Sequence, residues 1–197
     1  MKVRDGTDAD GRQVAAIVEH MLGEYCGCAA LDRARREDLR APGSTFAARN
    51  GGFWVAEDDD GAVAGCIALA ATERPETFEL HHLYVLPRLR GSGLAMRLLA
   101  LAVLHARRHG ARQIDLWVDT RFLAGQRFWE RHGFVRLPGT RPAGDGEECR
   151  YALMLDRACP PGVALSPSRS GRNPNGRGVS VRFRASPGRR RTVAPLH

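Results

Sequence analysis

The sequence predicts an α/β fold in which one mixed sheet is flanked by helices, and three patterns carry the prediction. A strand over Phe78 to Leu86, a helix through Leu94, Leu98, Leu101, Ala102 and His105, and a strand over Ile114 to Val118 make a βαβ unit. Its two strands should be parallel and its crossover right-handed. Upstream, Phe53 to Ala56 and Val63 to Leu69 flank Asp58-Asp59-Asp60-Gly61. Asp-Gly supplies the positive φ of a tight hairpin turn, so this pair should be antiparallel. Downstream, Phe134 to Leu137 and Cys149 to Leu155 read as a closing strand pair.

In chain order, Lys2 to Gly6 is a candidate first strand. Asp8 is placed to cap a helix whose apolar residues Val14, Ile17, Val18, Met21 and Leu22 fall on one face. Residues 23 to 45 hold the mixed run Asp32 to Asp38, which reads either as a second helix with a solvated face or as a mobile segment. After the hairpin, Pro87 ends the Phe78 strand and a glycine-rich segment leads into the Leu94 helix, which stops at Gly110. Arg107 and Arg108 lie in its last turn, where positive charge suits the carbonyl end of the helix dipole. A further helix from about Phe122 to His132 ends at Gly133, with Phe134 folding back onto Trp129. The Pro/Gly-rich stretch Pro138 to Gly146 reads as the loop between the last two strands.

Charge divides the chain into two regions. The 197 residues carry a net charge of +8, with 43% hydrophobic and 26% charged residues, which is ordinary globular usage. Residues 157–197 hold nine arginines and no acid, leaving 21 basic against 22 acidic side chains in residues 1–156. A folded domain over 1–156 is therefore nearly neutral, and attraction to nucleic acid belongs to the tail alone. The tail is rich in Pro, Ser, Gly and Arg, a composition expected to stay disordered; it reads as a polyanion contact or as a read-through extension. Five cysteines (Cys26, Cys28, Cys66, Cys149 and Cys159) follow a start without an apolar signal core, so buried or idle thiols are expected rather than disulfides or zinc. No stretch approaches the ~20 apolar residues of a membrane span, and a cytoplasmic location without membrane attachment is the expectation.

The chemistry is concentrated in Leu83-Tyr84-Val85-Leu86-Pro87-Arg88-Leu89-Arg90-Gly91-Ser92-Gly93-Leu94-Ala95, where strand passes into helix. Small residues there let successive N–H groups turn toward one point, and the helix N-terminus adds partial positive charge. That pattern is a phosphate cradle. No Gly-Lys-Ser/Thr follows, which excludes a Walker loop, and Met96 stands where a dinucleotide fingerprint needs its third glycine. Taken alone, the turn could equally be a tight strand-to-helix connection without a ligand.

The order Glu79, Leu83-Tyr84-Val85, Pro87, Arg90-x-x-Gly93-x-Ala95, then Phe128-Trp129-x-x-x-Gly133-Phe134, resembles the GNAT superfamily of acyl-CoA-dependent N-acyltransferases over about residues 3 to 156. The resemblance implies a splayed mixed sheet and acetyl-CoA or another acyl-CoA as the donor. It implies that the amides of Arg90, Gly91, Ser92, Gly93, Leu94 and Ala95 hold the pyrophosphate and that Leu83, Tyr84 and Val85 bond the pantetheine arm in strand-like fashion. Activity would be N-acetyl transfer to a primary amine of a small molecule or peptide. Acceptor specificity would lie in residues 23 to 45 and 138 to 148, a second copy of the chain is admitted as a partner, and no metal is required.

Glu79, eleven residues before Arg90, stands where such enzymes place a strand carboxylate as general base. An amine of pKa about 10.4 is mostly protonated at pH 7, and the ~3.4-unit gap corresponds to roughly 4.6 kcal/mol of barrier. Alternation puts residues 79, 81, 83 and 85 on one strand face, which makes His81 a competing base and sends His82 to the other side. An exposed acid without function remains the third reading of Glu79. Trp129 departs from the resemblance, because many members carry there a tyrosine that protonates the leaving thiolate and indole cannot do so. A thiol of pKa near 8.5 is only about 1.5 units, or roughly 2 kcal/mol, from a stable thiolate at pH 7, so water can supply the proton. Trp129 is expected to pack against Phe134, and Phe122 replaces an asparagine expected near the helix start. The rival reading is a non-catalytic acyl-CoA-binding or sensor domain. Cys66 in an apolar strand and the scattered His20, His105, His109 and His132 support neither a Cys-His nucleophile nor a metal site.

Overall fold

A computed structural model describes residues 1–26, 37–144 and 146–155. Seven strands form one sheet: β1 (Lys2–Asp5), β2 (Gly52–Glu57), β3 (Val63–Ala71), β4 (Thr77–Val85), β5 (Gln113–Asp119), β6 (Val135–Ala143) and β7 (Gly146–Met154). Their spatial order is β1-β2-β3-β4-β5-β7-β6. Only β4 and β5 run parallel. The helices are α1 (Gly11–Cys26), α2 (Pro42–Ala47), α3 (Leu94–Arg108) and α4 (Leu123–Arg131). The mixed α/β architecture is therefore the predicted one. The predicted helix over Asp32 to Asp38 falls mostly, and the arginine-rich tail wholly, outside the described residues.

Two apolar layers clamp the sheet. Val14, Ile17, Val18 and Met21 of α1 pack on Val55, Cys66, Ala68 and Ala70. On the opposite face Leu94, Leu98, Leu99, Ala102, Val103 and Ala106 of α3 cover Phe78, Leu80, Ile114 and Leu116. Each fully buried leucine or valine contributes about 1.5–3 kcal/mol. Both α3 and α4 end on a left-handed glycine, Gly110 (φ +77°) and Gly133 (φ +85°). The following residue donates back over the last turn, Ala111 N–H to Ala106 O at 2.9 Å and Phe134 N–H to Trp129 O at 3.1 Å, a glycine-dependent stop.

Three expectations need correction. Asp8 does not cap α1; a 3₁₀ turn at Asp8–Asp10 leads into that helix, and the Asp10 carboxylate accepts the Thr7 N–H at 2.8 Å. Asp8 instead accepts Ser44 N–H at 2.8 Å and Ser44 O–H at 2.6 Å, in the first turn of α2. Pro138 to Gly146 is mostly strand rather than loop, because β6 lies on the sheet edge, where proline costs no ladder bond, and a register shift between Arg136 and Thr140 absorbs the extra residues. The third correction concerns β4. Ile67 of β3 stands opposite both His82 and Leu83, a bulge in which His82 takes φ +53°. Alternation inverts there, so Leu83 and Val85 pack with the α3 layer and Tyr84 with the α1 layer.

Asp10 anchors the start of the fold. It is buried and accepts two bonds from the Arg4 guanidinium, at 2.7 and 2.9 Å, besides those from Thr7. The Arg4 contact holds its carboxyl down to about 2 from an ordinary 3.8. A depressed carboxyl stabilises the fold above the unfolded-state pKa; that contribution is complete above about pH 4–5 and fades as pH falls toward 2. Asp10→Ala is expected to cost about 2–3 kcal/mol in urea unfolding at pH 7, since it removes the bidentate partner of Arg4, which keeps Glu57 at 2.6 Å, and leaves the Thr7 N–H without its acceptor. The difference from wild type should shrink as the pH is lowered through that range.

Candidate active site

The parallel pairing of β4 and β5 stops at Leu80 opposite Leu116, although β4 continues to Val85 and β5 to Asp119. Past that point the strands splay, leaving one edge of β4 without a neighbouring strand. The gap opens into a cavity of about 810 Å³. It is lined by Glu79, His81, His82 and Tyr84 from β4, Trp117 and Asp119 from β5, and Trp129 from α4. Asp38 and Arg49 approach from the α2 side, and Arg141 and Glu148 from the β6–β7 hairpin.

Glu79 and His81 share the cavity face, as expected, with Glu79 Oε1 and His81 Nε2 3.6 Å apart, beyond hydrogen-bond reach. Their side chains are 20% and 18% exposed. Burial pushes the Glu79 carboxyl above its ordinary value, against the pull of the Arg141 and Arg49 charges. Burial also drives His81 down to about 3, reinforced by His82 and Arg49. His81 is thus a neutral ring at physiological pH and a weak proton acceptor, whereas burial makes the Glu79 carboxylate more basic than an ordinary one. His82 does not face away: the bulge turns it into the same cavity, where its ring lies 6.2 Å from that of His81 and 5.9 Å from Phe46. The Nε2 atoms of His81 and His82 are buried without a hydrogen-bond partner.

Between β4 and α3, Pro87–Leu89 forms a 3₁₀ turn and Gly91 and Gly93 take φ +78° and +82°. The N–H groups of Arg90, Ser92 and Leu94 donate within the loop, to Pro87 O, Leu89 O and Ser92 Oγ. Those of Gly91, Gly93 and Ala95 have no acceptor among the described residues. A Cβ built on Gly91 or Gly93 would meet no atom within 4 Å, so open space lies before both. Positive φ and an unobstructed approach to the N-terminus of a 15-residue helix are what an anion site requires.

Trp129 is buried, with its ring 5.0 Å from both Phe128 and Phe134, the packing role expected of it. Cys66 and Cys149 are free and buried; the Cys66 S–H donates to His82 O at 3.1 Å and burial lifts its pKa to about 12, so it is inert. No helix among the described residues is long and apolar enough to cross a membrane. Sequence reasoning named the stretches holding Asp38, Arg141 and Glu148 without singling those residues out, and missed Arg49 and Trp117. The one available signal was alternation along β5, which places Asp115, Trp117 and Asp119 on the Glu79 face.

The family model for the acetyltransferase (GNAT) family matches residues 15–134, and the chain belongs to that family. An uncharacterized N-acetyltransferase of Methanocaldococcus jannaschii is 33% identical over 87 residues, a match covering 42% of this chain and 38% of that protein. One of Archaeoglobus fulgidus is 25% identical over 145 residues, covering 71% of this chain and 97% of the relative. The fold is shared with a GNAT-family acetyltransferase of Staphylococcus aureus, at 18% identity and a TM-score of 0.69 over 79% of this chain and 99% of that one. It is also shared with the yncA protein of Salmonella typhimurium, solved with its cofactor acetyl-CoA, at 21% identity and a TM-score of 0.60 over 82% of this chain and 97% of that one.

Proposed function

We propose that the protein is an N-acetyltransferase that moves the acetyl group of acetyl-CoA directly to a primary amine of a small molecule or peptide. One observation carries the reading: β4 carries the half-buried Glu79, its carboxyl of raised pKa, along the splayed gap beside β5 and, past its open edge at Leu83 to Val85, runs on into the glycine loop at the head of α3. The residues fit the donor. Gly91, Gly93 and Ala95 offer free amides for a pyrophosphate, and the open edge of β4 at Leu83 to Val85 offers strand-like partners for a pantetheine amide. Acetyl-CoA supplies a thioester, whose carbonyl carbon accepts an amine without an enzyme-bound acyl group.

Glu79 is the general base in this reading. The amine nitrogen attacks only through its lone pair, so the ammonium proton passes first to the Glu79 carboxylate, directly or through water, and the second proton, shed as the new C–N bond forms, goes to water. The C–S bond breaks, and CoA leaves as a thiolate that takes its proton from water, since Trp129 has none to give. His81, neutral in a buried setting, shapes the wall beside Glu79 and does not compete for the proton. Release of free thiol from acetyl-CoA, coupled to a chromogenic disulfide and run across a panel of primary amines, tests the proposal. Amine-dependent thiol release is expected; tight acetyl-CoA binding with none would leave a non-catalytic acyl-CoA-binding domain in its place.

A further inference from the structure

We infer that the acceptor is a small primary amine carrying a carboxylate, of the α-amino acid type, and that Arg49 binds the carboxylate while Glu79 faces the amine. The inference rests on the reading of this cavity as the acceptor site. Its basis is the pairing of charges around the cavity. Arg141 pairs with Glu148 at 2.8 Å and is stacked on Trp117 at 4.1 Å, and Arg121 pairs with Asp119 at 2.6 Å. Behind them, Arg150 and Arg74 both pair with the fully buried Asp115. Arg49 is different: no carboxylate among the described residues lies within ion-pair distance of its guanidinium, yet it lines the cavity.

Its position is fixed by the backbone rather than by the side chain. Arg49 N–H donates to Phe46 O at 3.2 Å, and Arg49 O accepts from Ala71 N–H at 2.9 Å, tying the turn after α2 to the end of β3. Asn50 at φ +51° completes that turn, and Gly51 N–H closes it on Phe46 O at 2.9 Å. The backbone of Arg49 is thereby anchored at the cavity mouth, and its exposed side chain lines the wall. Once the internal pairs are set aside, the charges left lining the cavity are Arg49 and Asp38 from the α2 side and Glu79 on β4, with Asp38 3.6 Å from His82. A ligand that complements them has an ammonium or amine at one end and an anion at the other. The guanidinium fork matches a carboxylate in two parallel hydrogen bonds. The buried Nε2 of His82, which makes no hydrogen bond, adds a hydrogen-bonding position to the cavity beside Asp38. A peptide N-terminus does not fit as well, because its nearest carbonyl is amidated and uncharged.

The test pairs each common L-α-amino acid with its α-carboxamide, compared at equal concentrations of unprotonated amine because amidation lowers the amine pKa. For the preferred side chain, kcat/KM for the acid is expected to exceed that for the carboxamide by about tenfold. Arg49→Ala should bring the ratio near one with the KM for acetyl-CoA unchanged, and Arg49→Lys should keep part of the preference. Equal use of acid and carboxamide by the wild type, or an unaltered preference in Arg49→Ala, overturns the assignment. Ligand-observed NMR of the same pairs with the CoA-loaded protein judges the subsite separately from turnover. Selective binding of acids that Arg49→Ala abolishes supports the subsite even with no acetylation, which would count against the transferase reading alone. Binding of neither member, or of both equally, overturns it.

Discussion

Glu79→Gln is expected to lower kcat about a hundredfold at pH 7 while leaving acetyl-CoA affinity unchanged. Glutamine keeps the size and polarity of the side chain and removes only its capacity to accept a proton. The loss should shrink as pH rises, because more of the amine then arrives deprotonated and less of the roughly 4.6 kcal/mol separating ammonium from amine has to be supplied by a base. On the acid side the wild-type rate should fall as Glu79 itself becomes protonated. Burial raises its pKa, so that limb should lie above the ~4.3 of an ordinary glutamate. The variant should lack the limb and climb steadily toward the pKa of the amine. Single-turnover rates across pH measure all of this. Full activity of Glu79→Gln at every pH, with loss of activity in His81→Ala, would transfer the role to His81 and contradict the neutral, weakly basic ring found there.

The elements that could be read in the sequence are those set by local chemistry. Asp60-Gly61 turns the β2–β3 hairpin, with Gly61 at φ +80°, and Gly110 and Gly133 stop α3 and α4 with the backward bonds their left-handed conformation permits. The phosphate cradle belongs to the same class, since it is made of backbone and needs only small residues in order. The β4 bulge was not legible. Nothing in Leu80-His81-His82-Leu83 distinguishes an extra residue, and its position is decided by Ile67 on the neighbouring strand. One inserted residue then reassigned the faces of His82, Leu83 and Val85, so a correct strand gave an incorrect wall. Arg49 was hidden for a related reason: in sequence it is one more arginine after a short helix, and only the turn pinned to Ala71 brings it to the cavity that Glu79 lines. In β6, Pro138, Gly139 and Pro142 resemble a loop because local propensity cannot see that the strand lies at an edge.

Gly93→Asp is expected to weaken acetyl-CoA binding about a hundredfold by calorimetry, with only a modest loss of stability. Two costs are separable. Gly93 sits at φ +82°, where an L side chain costs roughly 1–2 kcal/mol whatever the space around it, and this strain acts on the folded protein with or without ligand. No atom lies within 4 Å of a Cβ at this position, so the substitution causes no clash and the loop can keep its course. The second cost appears only on binding. The new carboxylate occupies the open space before α3, where the free amides of Gly91, Gly93 and Ala95 and the helix dipole would otherwise receive a diphosphate, and like charges at that distance repel in a partly dry site. Gly93→Ala carries the strain without the charge, so it should match Gly93→Asp in melting temperature within a few degrees and bind acetyl-CoA distinctly better. Raising the salt concentration should narrow the difference between the two variants, because the repulsive part is screened and the strain is not. Unchanged affinity in Gly93→Asp would remove this loop from the donor site, and equal weakening in both variants would show that backbone strain, and not charge at a phosphate position, governs the loop.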